Sequence, residues 1–200
     1  MPYTKAVITI EPYYERPKWM KHDLPWKPYM ALTPQASEPE VEWFMRVLLG
    51  YHDIDMSQSA QTALKELSQQ EGFIMPGGIA FFENEDRYIL PSCCGGIEDI
   101  NEFLVCLDKK ISPWMGHDPD PTLTYDENHV YVWPDRLDRA HPENIPIVYT
   151  NHEWVLTTQQ SVAALQGFLE GPLYNWLRST SSDYADPIIR MLKEWLHTTK

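Results

Sequence analysis

The sequence predicts an α+β fold, with an antiparallel sheet of about five strands and helices segregated at both ends. Short apolar or alternating runs bounded by turn residues occupy the middle of the 200-residue chain. Stretches with apolar residues at helical spacing stand before and after these runs. Runs of helices and strands that do not alternate are typical of α+β folds.

The first 36 residues are predicted to form an extended arm that packs on a single domain comprising residues 37–200. Lys5–Ile10 has the composition of an edge strand. Repeated prolines then exclude a regular helix or ladder, while tryptophan and tyrosine side chains carry too much apolar surface to remain in water. A partner-binding arm is the alternative interpretation.

Four helices are predicted from their periodicity and caps. Ser37–Glu40 is a capping-box sequence with proline in the first turn, followed by an apolar face. A second helix is expected to begin near Asp55 or Ser57, to end near Gly72 and to lie antiparallel to the first. Two more are expected at residues 162–177, with a break at Gly171-Pro172, and at residues 187–197.

Strands are predicted where apolar runs flank turn residues. Phe73–Phe82 and Arg87–Leu90 flank an acidic turn, as do Thr122–Tyr125 and His129–Trp133, so each pair predicts a hairpin. A further strand at Ile145–Tyr149 contains a proline near its start, which places it at an edge.

The most unusual stretch is Arg87–Pro121, in which a strand, a glycine turn, a helix and a polar loop follow one another. Gly95 and Gly96 are predicted to turn through positive φ and to bring the backbone close to the Trp114–Pro121 loop. In the following residues, apolar side chains recur at helical spacing and acidic side chains occupy the positions between them. We therefore expect a helix with one buried face and one acidic face.

The charge balance is strongly acidic, with a formal net charge of -13. Residues 83–143 contain 14 Asp and Glu and 5 Lys and Arg, which is nine of these excess negative charges. A nucleic-acid partner requires a basic surface, so this balance argues against one and favours a basic protein partner. The alternative is a solvated acidic face that serves solubility alone.

No apolar run is long enough to span a bilayer, and the N-terminus lacks the features of a signal peptide. The three cysteines, two of them adjacent, do not form a regular disulfide framework. We therefore expect a cytoplasmic protein with reduced thiols and no membrane partner.

Two constellations could carry chemistry. Cys93, Cys94 and Cys106 lack metal-ligand spacing, and we interpret them as small buried side chains, although Cys94 could be a catalytic thiol with His117 as its base. The Trp114–Pro121 loop holds His117, Asp118 and Asp120, which could bind a divalent metal but are also typical of a structural proline turn. The sequence therefore predicts no metal, no cofactor and no catalytic residue, and it favours a role other than that of an enzyme.

The segments LPSCCGGIEDINEF, WMGHDPDP and VYVWPD resemble a group of uncharacterised small bacterial proteins. Their shared pattern is a Pro-Gly-Cys-Cys-Cys-Gly-Leu-Glu-Asp-Trp turn, a Trp-x-Gly-His-Asp-Pro loop and a Val-x-Val-Trp strand. The resemblance covers Ile89–Asp135, with Ser92, Gly95 and Ile100 as departures from it. It implies an immunity-type protein of a polymorphic toxin system and assigns no catalytic residue.

The leading hypothesis is an immunity protein that neutralises a basic toxin or enzyme through an acidic surface. The predicted contact residues lie on the central helix and in the loop after it: Glu98, Asp99, Glu102, Trp114, His117, Asp118 and Asp120. The alternatives are an enzyme that uses Cys94 or a metal at His117, Asp118 and Asp120, and a structural scaffold without a catalytic site.

Overall fold

The computed structural model describes residues 1–9, 15–138 and 144–196, which form an α+β fold with two antiparallel sheets. The first sheet has the order β2-β1-β3-β4, with β1 at Tyr3–Thr9, β2 at Tyr29–Ala31, β3 at Gly77–Phe82 and β4 at Tyr88–Ile89. The second has the order β5-β6-β7, with β5 at Thr122–Tyr125, β6 at His129–Trp133 and β7 at Ile147–Thr150.

The helices of the described chain flank and follow these strands. They are α1 at Glu38–Tyr51, α2 at Ala60–Leu67, α3 at Ile100–Asp108, α4 at Asn151–Phe168, α5 at Tyr174–Thr180 and α6 at Ser182–Trp195. One 3-10 turn, Ile97–Asp99, precedes α3, and a π-helical turn at Leu169–Leu173 joins α4 to α5. No described helix is both long and apolar enough to cross a bilayer.

The α+β class is confirmed, but the prediction of one sheet of about five strands is wrong. The first strand was expected at an edge, yet β1 pairs with both β2 and β3 and is interior. Its Ala6-Val7-Ile8 run is fully buried, as is typical of a strand covered on both faces. The expected ends of this strand and of the last helix, Ile10 and His197, lie outside the described residues.

The elements that depend on neighbouring residues, the caps and hairpins, agree closely with the prediction from the sequence. The capping box at Ser37 is present, with the Ser37 N–H and hydroxyl both donating to Glu40 Oε2 at 2.8 Å. Both predicted hairpins form, and β7 lies at a sheet edge. The second helix is shorter than expected, because Ser59 rather than Asp55 or Ser57 caps it.

Tyr149 of β7 joins the two sheets. Its buried hydroxyl donates to the Tyr3 carbonyl at 2.9 Å and accepts from the Phe82 N–H at 3.1 Å. Burial raises the pKa of Tyr149, so the hydroxyl remains protonated and keeps its role as a donor. The sheets therefore share one core although their strands do not pair with each other.

Candidate functional site

The central turn, Pro91–Gly96, connects β4 to the 3-10 turn before α3. The prediction of positive φ at Gly95 and Gly96 is wrong, because the left-handed residue is Cys94, at φ +68°. Gly95 instead allows a close approach to backbone, whereas the close neighbour of Gly96 is a side chain. A Cβ on Gly95 would lie 3.0 Å from the Met115 carbonyl oxygen, and a Cβ on Gly96 would lie 2.1 Å from Glu98 Oε1.

The loop 114–121 lies against the central turn, as the sequence predicted. Cys93 and His117 form an antiparallel bridge in which the His117 N–H donates to the Cys93 carbonyl at 3.2 Å. Ser92 adds two bonds, from its N–H to the Met115 carbonyl at 3.0 Å and from its hydroxyl to the His117 carbonyl at 3.0 Å. Gly116, at φ +102°, allows this contact, since a Cβ there would lie 2.5 Å from the Cys93 carbonyl oxygen. The backbone thus positions the side chains of both segments.

The contact between these segments brings two thiols to one imidazole. Cys93 Sγ lies 3.4 Å from His117 Nδ1, and Cys94 Sγ lies 3.4 Å from His117 Nε2. Both cysteines are exposed, so the interpretation of these two as buried packing residues is wrong. Cys106, which is half-buried on α3, is not part of this cluster.

The surroundings of the Cys93 thiol disfavour its ionisation. Desolvation is the main cause that raises the pKa of the Cys93 thiol, and the neighbouring Cys94 raises it further. Cys93 is therefore held as a thiol at neutral pH, with its Sγ 2.7 Å from the His117 carbonyl oxygen, to which it donates. The exposed Asp118 carboxylate lies 3.3 Å from His117 Nδ1. This arrangement can transfer a proton between a thiol and the imidazole, or it can bind a thiophilic metal ion.

The predicted acidic contact residues separate into two groups. Glu98 is half-buried and accepts a hydrogen bond from the Met75 N–H at 3.1 Å, and burial raises its pKa. Asp99 accepts from the Gly96 N–H at 3.4 Å. Both carboxylates stabilise the turn, and Asp99 remains partly accessible beside Trp114. Glu102 is exposed on α3, and Trp114 is 56% exposed in the loop.

The structure does not assemble the alternative metal set of His117, Asp118 and Asp120. Asp120 is half-buried, and its N–H donates to Asp135 Oδ1 at 2.9 Å. Among the described residues, the group of potential metal ligands that includes His117 consists of Cys93, Cys94 and His117. Sequence reasoning missed Cys93. The adjacent cysteines were a signal, but nothing in the sequence specified which way they point.

The two thiols also line an open cleft of about 510 Å³. Its walls include Ile74, which is 63% exposed, and the half-buried Glu98 and Tyr51. The cleft therefore combines an apolar wall, a carboxyl group and two thiols within reach of solvent.

A second group of potential ligands lies at the N-terminal side of α1. His22, Glu38 and Glu42 converge there, and the Glu42 side chain is buried. Its carboxylate accepts from the Lys21 N–H at 3.1 Å and from the His22 N–H at 2.7 Å, and it lies 3.1 Å from His22 Nδ1. This carboxylate therefore anchors the chain before β2.

The similarity of this chain to known proteins is partial. No family model matches the chain. It is similar to Recombination protein RecR of Brucella ovis and of Brucella melitensis biotype 2, with 23% identity over 114 residues, which is 57% of this chain and 52% of each relative. The chain thus spans about half the length of the curated relatives it matches. No solved structure matches it. The likeness to RecR is partial and does not establish a family.

Proposed function

We propose that this chain is a protein-binding module of the immunity type, which acts in the cytoplasm and neutralises a basic toxin or enzyme. The observation that carries the proposal is Trp114, which is 56% exposed beside acidic side chains. Its binding surface, which we name the acidic face, comprises Asp99, Glu102, Trp114 and Asp118.

The residues of the acidic face lie at the start of α3 and in the loop 114–121. Trp114 and Asp99 line one shallow depression together with the central turn. Glu102 is exposed one helical turn after Asp99, and Asp118 is exposed four residues after Trp114. The face therefore combines a large amphipathic side chain with three carboxylates, of which Asp99 shares a depression with Trp114.

An exposed tryptophan is a costly surface residue unless it is covered. Tryptophan is among the residues that most often dominate the energetics of protein interfaces, where its ring fills a pocket on the partner. The surrounding carboxylates add long-range attraction for a basic partner, which accelerates association. Fast capture suits an inhibitor that must act before its target causes damage.

A nucleic-acid partner is the alternative to a basic protein. The name of the partial relative refers to recombination. However, the net charge of -13 opposes binding to a polyanion, because such binding depends on the release of counterions by basic side chains. A basic protein is the partner that this charge favours.

The test uses the product of the neighbouring open reading frame, if it carries a toxin-like C-terminal domain, as the immobilised partner. We expect Trp114→Ala to accelerate dissociation, and Glu102→Gln/Asp118→Asn to slow association about tenfold at low salt and to flatten its salt dependence. Asn tolerates the positive φ of 58° at position 118, so this variant preserves the backbone.

The matched control is Asp183→Asn/Asp186→Asn, which removes two exposed charges from α6 and should leave the rates near those of the wild type. Equal association rates for both double variants would contradict the acidic face. Tight binding of duplex DNA by the wild type would contradict the protein-partner proposal.

A second candidate is an enzyme that uses the Cys94 thiol. The observation that favours it is the 3.4 Å separation between Cys94 Sγ and His117 Nε2 at the edge of the open cleft. Transfer of the thiol proton to Nε2 would leave a nucleophilic thiolate. The rate of Cys94 alkylation by iodoacetamide should then fall at neutral pH in His117→Gln. An unchanged rate would exclude this pairing.

A further inference from the structure

We propose that Cys93, Cys94 and His117 bind one zinc ion, with a fourth coordination position open to solvent. The inference does not depend on the acidic face. It rests on the convergence of three donor atoms, all within 4.8 Å of one another, from two separate segments of the chain.

The distance between Cys94 Sγ and His117 Nε2 matches that between two ligands of a tetrahedral zinc site. With Zn–S about 2.3 Å and Zn–N about 2.0 Å, tetrahedral angles place a sulfur and a nitrogen ligand about 3.5 Å apart. The thiol sulfur of Cys94 lies 3.4 Å from Nε2 of His117, and the thiol of Cys93 lies 3.4 Å from the other ring nitrogen. One donor atom from each residue lies within 4.8 Å of the other two, so side-chain rotation can bring one nitrogen and both sulfurs to the same ion.

The backbone explains how adjacent cysteines can serve one ion. In an extended strand, successive side chains point to opposite faces. Cys94 instead adopts φ +68°, so the chain turns at this residue and both thiols reach the same imidazole. A non-glycine residue in the left-handed region is unusual, and such strain is concentrated at functional sites.

The surroundings of His117 also favour a metal ligand. Asp118 lies 3.3 Å from Nδ1 and can accept a hydrogen bond from it, which leaves the Nε2 lone pair, on the side of Cys94, to bind the ion. A carboxylate in this position is the usual support of a zinc-bound histidine. The bridge between Cys93 and His117 holds the two ligand-bearing segments together before any ion binds.

The donor set determines which ion fits. Two cysteine sulfurs, which release their protons to solvent when they bind a metal, and an imidazole favour zinc and similar thiophilic ions, whereas magnesium and calcium prefer oxygen ligands. The three residues are exposed, so water can complete the coordination. Three protein ligands with one solvent position are typical of zinc sites that remain open to a further ligand.

The experiment is a titration of the chelator-treated full chain, in a non-thiol reductant, with zinc in competition with a chromophoric chelator, and with cobalt as a spectroscopic probe. We expect one ion per chain and sulfur-to-cobalt charge-transfer absorption. Cys94→Ser and His117→Gln should each weaken zinc binding more than about 100-fold, and Asp118→Asn should weaken it about tenfold. Cys106→Ala removes the thiol outside the cluster and should bind as the wild type does.

A second measurement covers variants that fail to fold. In the wild-type protein, zinc should protect Cys93 and Cys94 from alkylation, as mapped by mass spectrometry, while Cys106 should react equally with and without zinc. Less than stoichiometric zinc, cobalt spectra without sulfur bands, or equal alkylation of Cys94 with and without zinc would each overturn the proposal.

Discussion

Two groups of potential metal ligands in this protein have opposite environments. In the group at α1, the Glu42 side chain is buried, and its oxygens accept hydrogen bonds from two backbone N–H groups. In the group at the central turn, Cys93, Cys94 and His117 are all exposed, and their donor atoms face one another. The proximity of ligands is similar in both groups, but their availability is not.

This difference identifies which group is available to bind a ligand. A buried carboxylate with two backbone donors is already satisfied, and a metal ion would have to displace those bonds. When the exposed thiols bind an ion, they exchange contacts with solvent and with His117, and no buried carboxylate loses its backbone donors. The position of the hydrogen-bond donors therefore separates a cluster whose carboxylate is already satisfied from one that is accessible to a ligand.

The largest expected effect is on Glu42. Glu42→Ala would remove the buried carboxylate and leave the N–H groups of Lys21 and His22 without their acceptor, and we expect it to lower the free energy of unfolding by about 3 kcal/mol. The matched change at the other cluster, Cys93→Ser/Cys94→Ser in metal-free protein, should cost less than about 0.5 kcal/mol because both residues are exposed. Urea denaturation measures both. Equal losses would show that the cysteines are structural.

The next effect is at the glycine that allows the loop to contact the turn. Gly116→Ala combines a φ of +102° with a Cβ only 2.5 Å from the Cys93 carbonyl oxygen. We expect it to destabilise the fold by about 1–3 kcal/mol and to weaken zinc binding. Gly72→Ala is the control, because a Cβ there meets nothing within 4 Å. Thermal melting of both variants should distinguish them, and similar melting temperatures would contradict the tight contact.

A smaller effect concerns the pH dependence contributed by Glu98. Burial raises its pKa in the folded protein, so between the unfolded value of about 4.5 and the folded value the native state binds more protons. The contribution of Glu98 to the free energy of unfolding is fully present below its unfolded pKa, and it is lost as pH rises through its folded pKa. Glu98→Gln should remove this loss from a profile of unfolding free energy against pH. Glu102→Gln, exposed on the adjoining helix, should leave the profile unchanged.

The smallest effect is at Asp126, an exposed carboxylate with several donors. The Tyr131 hydroxyl and the N–H groups of Asn128 and His129 each donate to it at 2.7 Å, and they lower its pKa to about 2. Its contribution is present above the unfolded pKa of about 3.8 and is lost as pH falls through the folded value. Asp126→Asn should therefore make the melting temperature less dependent on pH between about pH 4 and pH 2. Glu127→Gln is the control, and a profile as steep as that of the wild type would contradict this role.

The elements predicted correctly from the sequence are those stabilised by nearby residues. The box between Ser37 and Glu40 and the turn at Asp126–His129 form as expected, because each is closed by hydrogen bonds between residues two or three positions apart. Both hairpins follow for the same reason. Patterns of this length are sufficient to specify a cap or a turn.

The division of the strands into two sheets was not predictable in this way. β1 pairs with β3 across more than 60 intervening residues, and Tyr149 bonds to Tyr3 across most of the chain. The apolar run in β1 indicated burial, but several sheets would have buried it equally well. The choice between them depends on packing against α4, including the bond between Thr4 and Ser161.

For the candidate site, the sequence by itself determined the parts: two adjacent cysteines, a histidine and a tryptophan in a proline loop, and an acidic helix. Only the tertiary structure decided which parts meet. It turned Glu98 inward, left Asp120 out of the cluster and brought both thiols to His117. The physical reason is that the left-handed turn at Cys94 and the approach allowed by Gly116 depend on contacts between segments more than 20 residues apart, which local sequence patterns do not specify.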